Sequence, residues 1–164
     1  MELFHEYQEK SKNSIILADH MLSVTYNLVR DHKLLFGVLE NTFLSVSYAM
    51  SSVLHYEKLF KRIPHFEDSF DERFNAFKEV AARYNISIEF IMLIVDLKNL
   101  IAIHKESSVE FHKGDKIIMC SENYKMNMIS IEDIKKYVFK AKLFIQETTN
   151  IISQNDKLFR DRQI

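Results

Sequence analysis

Ile88-Glu89-Phe90-Ile91-Met92-Leu93-Ile94-Val95-Asp96-Leu97-Lys98-Asn99-Leu100-Ile101-Ala102-Ile103-His104-Lys105-Glu106-Ser107 decides the fold. Apolar residues surround nearly the whole first half of this stretch, which makes it read as a central, deeply buried helix over residues 88–105. Ser87 is an N-cap candidate, with Glu89 in the first turn where a carboxylate offsets the helix dipole. At its far end a cation, an amide and an imidazole (Lys98, Asn99 and His104) sit among apolar neighbours. Such groups need partners, solvent or a task, so they are the first candidates for function.

The flanking sequence supports helices on both sides. Residues 1–31 carry Leu3, Tyr7, Ile15, Ala18, Leu22, Thr25 and Val29 near three-four spacing, interrupted by a polar gap around Lys10 to Asn13 where a kink is expected. Residues 33–62 carry Leu35, Val38, Leu39, Thr42, Val46, Ala49, Val53, Tyr56 and Phe60 on one stripe. Ser45, Ser47, Ser51 and Ser52 form a second face that admits a close neighbour, and this face is the reason to expect a homodimer. Pro64 ends the segment. Residues 70–84 turn Phe70, Phe74, Phe77 and Ala81 inward. Residues 131–154 repeat Ile131, Ile134, Val138, Ala141, Ile145, Thr148 and Ile152 at three- and four-residue steps behind Ser130 and Asp133, a near capping box, and a charged tail from Gln154 is expected to fray. Only residues 109–128 lean to β, with Gly114 offering a positive-φ turn, so a hairpin is expected there.

The expected fold is therefore all-α: a single domain, 1–164, forming an antiparallel bundle of about five helices with a small β-hairpin inserted before the last. Composition agrees. Only 2 Gly and 1 Pro occur in 164 residues, where average usage of about 7% and about 5% would supply far more of these breakers. With 22 basic and 23 acidic residues, no global field draws in nucleic acid or an anionic membrane, so any RNA contact has to be local. The single cysteine, Cys120, forms no intrachain disulfide and fits a reducing, cytoplasmic compartment. No signal-peptide pattern and no apolar run of membrane-spanning length are visible.

Metal and cofactor chemistry find little support. None of the seven histidines (5, 20, 32, 55, 65, 104 and 112) forms an i, i+4 pair, and Glu2-Leu3-Phe4-His5 is the lone Glu-x-x-His match, where di-metal bundles use two. No metal ligands or cofactor-binding residues are assigned, and no glycine-rich phosphate loop exists. Lys98, Asn99 and His104 remain. On a regular helix Lys98 and His104 lie about 120° apart, so they converge only if the last turn is distorted or if two helices bring them together. The plain alternative is that Lys98, Asn99 and His104 serve the C-terminal half of a helix, where cations offset the dipole and an amide caps carbonyls.

Lys98-Asn99-Leu100-Ile101-Ala102-Ile103-His104, near the end of an apolar helix and followed by a long C-terminal helix, resembles the motif of the HEPN superfamily, in which an Arg is followed by a polar residue and, after four to six positions, by a His. The resemblance implies a helical bundle that dimerises, with two motifs forming a metal-independent endoribonuclease site of toxin or defence type. It implies that His104 is the acid/base, that Asn99 orients, and that Lys98 stands for the family's Arg. Lysine departs from that pattern, since a point charge replaces a planar fork able to grip phosphate through two bonds. Other members of that superfamily are non-catalytic, so a dimerisation or protein-partner-binding module is the alternative function.

Overall fold

The computed structural model describes residues 1–163. Helix α1 (Leu3–His20) passes without a break through a π-helical stretch, Met21–Thr25, into α2 (Tyr26–Val29), and the run ends where Arg30 turns into the left-handed region at φ 56°. Four more helices follow: α3 (Lys33–Leu59), α4 (Phe70–Arg83), α5 (Ile88–Glu106) and α6 (Ile131–Asp161). Taking α1 through α2 as one, the described residues form five helices. Between α5 and α6 lies a three-stranded antiparallel sheet, β1 (Val109–Lys113), β2 (Lys116–Cys120) and β3 (Met126–Ser130), in that order.

The centre of the molecule is α3, not α5 as the apolar run had suggested. Leu35, Val38, Leu39, Thr42, Val46, Ala49, Val53 and Tyr56 are all buried, and α3 lies against α1, α4, α5 and α6. Helix α5 buries only one side, through Leu93, Ile94, Leu97 and Ile101, and leaves Ile88, Met92 and Val95 exposed. An apolar run reports what a helix can bury, and the neighbours decide what it does bury.

The serine face of α3 is filled from within the chain. Ser11 of α1 donates to the Ser45 carbonyl at 2.8 Å, and the Arg73 guanidinium of α4 donates to the Ser51 hydroxyl at 2.8 Å. That face therefore offers nothing to a second copy. The Ser11 contact also keeps α1 regular through Lys10 to Asn13. The irregularity falls at Met21–Thr25 instead, where Met21 crosses α3 at Gly37. A Cβ on Gly37 would sit 2.6 Å from the Met21 methyl carbon, so any larger residue there makes the Met21 side chain move.

The Ser130–Asp133 capping box opens α6 with both reciprocal bonds, and Ser87 accepts from the Glu89 N–H to open α5. The C-terminal stretch is helical to Asp161 and does not fray at Gln154. Phe159 meets Phe60 at 5.0 Å between centroids, and the Tyr56 hydroxyl donates to Asp156 at 3.3 Å. The sheet has one strand more than the expected hairpin. Gly114, at φ 64°, makes the β1–β2 turn, and Tyr124, at φ 58°, makes the turn into β3. Only Ile129 of β3 is buried, a burial pattern too weak to read as a strand from sequence.

A buried carboxylate ties the ends of α3 and α4. The Glu57 side chain is 1% exposed and is met by Arg62 and Arg83 at 3.2 Å each and by the Tyr84 hydroxyl at 2.5 Å. Arg62→Ala with Arg83→Ala leaves that charge uncompensated. A loss of about 3 kcal/mol is expected, the low end for broken buried pairs because both arginines are partly solvated, and urea unfolding measures it. Burial and the hydrogen bond to Glu57 push the Tyr84 hydroxyl up to about 12. Between pH 10 and 12 the unfolded chain therefore loses a proton that the folded chain keeps. Stability falls across that window, and Tyr84→Phe should flatten the fall in unfolding curves taken at pH 9, 10 and 11.

Candidate functional site

The regular geometry of α5 sends its three marked residues to three surroundings. The helix remains regular to Glu106, so no distorted turn brings Lys98 and His104 onto one face. Lys98 points toward α4: its ammonium lies 2.7 Å from Asp71 and 4.2 Å from the centroid of the Phe70 ring. Asn99 is exposed, on the same side of α5 as Ile88, Met92, Val95 and Ala102. His104 packs against α3 and the sheet. Among the described residues Lys98 and His104 share no partner.

His104 is the most constrained of the three. Its side chain is 24% exposed, and its ring stacks on Phe36 at 4.1 Å and 10°. Nδ1 lies 2.5 Å from a carboxylate oxygen of Glu110 on β1, and Nε2 lies 3.9 Å from Glu40 on α3. Nδ1 thus has a carboxylate partner within hydrogen-bond distance, and Nε2 has none that close. A carboxylate–imidazole pair of this kind is what general acid/base chemistry uses.

Sequence reasoning did not anticipate the company His104 keeps. Glu110 and His112 alternate with Phe111 along β1 and so project from the same face of the strand. Glu110 meets His104, and the His112 ring lies parallel to that of His32 at 3.6 Å. His32, at the N-cap of α3, is also within 3.3 Å of the Tyr26 hydroxyl. Burial, then the charge of His112, lower its pKa below the ordinary imidazole range, with Asp31 pulling the other way. Arg30, His32, Lys33, Phe36, Glu110 and His112 line one cavity of about 290 Å³. The available signal was a turn, Arg30-Asp31-His32-Lys33, and a strand, Glu110-Phe111-His112-Lys113, each placing a histidine beside a lysine. Nothing local indicated that they meet.

A second concavity, of about 460 Å³, runs between α3, α4 and α5. Arg73, Lys98 and Lys105 supply cations and Phe43, Tyr48 and Phe70 supply rings, and no carboxylate belongs to its wall. Among the described residues, no group of three or more His, Cys, Asp or Glu side chains is placed to hold a metal ion, and no helix is long and apolar enough to cross a membrane. No family model, no curated protein and no solved structure matches this chain.

Because His104 is partly solvated, its removal should be tolerated. His104→Ala loses one hydrogen bond to a charged group and the Phe36 stack, and a cost of roughly 1–3 kcal/mol is expected. Thermal unfolding followed by circular dichroism measures it, and the folded spectrum should be unchanged.

Proposed function

We propose that this chain is an HEPN-like, RNA-directed helical protein of toxin or defence type, acting in the cytoplasm as a metal-independent endoribonuclease. The observation that carries the reading is the His104–Glu110 pair, an imidazole stacked on Phe36 and bonded to a carboxylate at the edge of a cavity whose wall includes Arg30 and Lys33. In this reading His104 moves the proton at Nε2. Asn99 and Lys98 act toward RNA from the neighbouring faces of α5, Lys98 together with Arg73 and Lys105 in the ring-lined concavity. Cations with interleaved aromatic rings suit a single strand, whose phosphates take the charge and whose bases take the rings.

A second reading, the non-catalytic dimerisation or partner-binding module, is favoured by the exposed stripe Ile88, Met92, Val95, Asn99 and Ala102 on α5. In a bundle of this size an apolar stripe on one helix is a surface for a second copy. The two readings use different sides of α5: His104 lies about 160° around the helix from this stripe, against Phe36 of α3 and Glu110 of β1.

Cleavage of single-stranded RNA in EDTA is the test. His104→Ala is expected to reduce it by about 10²–10⁴-fold, the range general acid/base catalysis contributes. Lys98→Gln is expected to weaken RNA binding and to lower the salt dependence of the affinity by about one counterion. Equal background cleavage by wild type and His104→Ala leaves only the non-catalytic reading.

A further inference from the structure

We infer that the cavity between the α2–α3 turn and β1 is a phosphate-ester site, in which Arg30, Lys33 and the stacked His32–His112 pair hold the anion. The inference rests on the RNA reading above and locates the phosphate that reading needs. Lys98, the residue expected in that role, is engaged by Asp71 and Phe70 on another face of α5.

The charges in the cavity wall are not equivalent. Both carboxylates are already engaged: Asp31 accepts from the Lys33 backbone N–H at 3.0 Å, and Glu110 accepts from His104. The cations are not. Arg30 lies 5.5 Å over the Tyr26 ring, and among the described residues neither Arg30 nor Lys33 forms an ion pair with a carboxylate. A guanidinium free of carboxylates is the side chain best shaped to take two phosphate oxygens. The imidazoles add to this. Two parallel rings at 3.6 Å repel when both are charged, and an anion beside them removes the penalty. The Tyr26 hydroxyl holds His32 in place.

The cavity is also sized and walled for more than an inorganic ion. Its volume of about 290 Å³ lies at the lower end of small-molecule pockets, roughly 300–1,000 Å³, which suits one nucleotide unit and excludes a duplex. Phe36 forms an apolar wall and Phe111 stands half exposed at the rim, so a sugar or base has a surface to lie on. Phe36 and Glu110 belong both to this wall and to the surroundings of His104. A phosphate ester held here lies next to the imidazole that is paired with a carboxylate.

The test is a titration of the full chain in EDTA, with sodium phosphate in one arm and uridine 3′-monophosphate in the other. Imidazole proton resonances of His32 and His112 report binding, assigned through His32→Asn and His112→Asn. Both resonances are expected to move and saturate, with the nucleotide binding about tenfold more tightly than phosphate. Arg30→Gln and Lys33→Gln are each expected to weaken binding by about tenfold, the scale of one charge-assisted bond, while Lys135→Gln, on α6 and paired with Glu132, leaves it unchanged. Shifts that never saturate, or that are the same in wild type, Arg30→Gln and Lys33→Gln, overturn the site. Equal affinity for both ligands overturns the ester assignment. Saturable nucleotide binding without RNA cleavage overturns the ribonuclease reading and keeps the site, and cleavage without such binding does the reverse.

Discussion

The structure depends on one constraint, that α3 is enclosed on nearly all sides and must satisfy its own polar groups. Thr42, Ser45 and Ser52 donate to carbonyls three or four residues earlier in the same helix. Ser51 and Glu57 take partners from α4 and the turn that precedes it. Among the described residues no buried side-chain nitrogen or oxygen lacks a partner. Small hydroxyl residues solve two problems at once, because they let α1 approach closely and close their own hydrogen bonds locally. A core helix built only of large apolar residues would hold its neighbours further away.

That enclosed helix sets where chemistry can occur. Its N-terminal end meets the sheet through the His32–His112 stack and meets α5 through the Phe36–His104 stack. The rings fix the β1 side of the sheet, and buried apolar side chains of β2 and β3 fix the rest. All five residues of β1 are exposed, and the sheet's buried apolar side chains come mainly from Ile117, Ile118 and Met119 on β2. A strand with little buried surface is held by its polar and aromatic contacts, and for that reason its Glu110 and His112 have defined partners. The same arrangement keeps the proposed site at the surface.

Helices with sharp local signals were legible in the sequence. The Ser130–Asp133 box, the Ser87 cap and the Gly114 turn are short-range devices whose chemistry is complete within a few residues, and each formed as its residues dictate. Long-range choices were not legible. Whether the serine face of α3 meets α1 or a second copy depends on how α1 crosses, which Gly37 and Met21 decide at one point. That α3 and not α5 is central depends on how many helices surround each. The Glu57 network joins residues up to 27 positions apart, and no periodicity announces it.

The candidate site divides in the same way. His104 was marked because an imidazole at the end of an apolar helix needs a partner, and it has one. Lys98 was marked by proximity in sequence, which on a helix separates residues as readily as it joins them: six positions turn the side chain by about 120°, toward Asp71 and away from His104. The cations nearest the His104 surroundings come from 70 residues upstream, in a turn where Arg30 adopts a left-handed conformation disfavoured for residues other than glycine. A motif read along the chain identifies residue types, whereas a site is a set of directions in space. Lys98 and Arg30 are therefore rival candidates for the cation of the proposed site, and Arg30 is the one that shares a cavity wall with Glu110, the partner of His104.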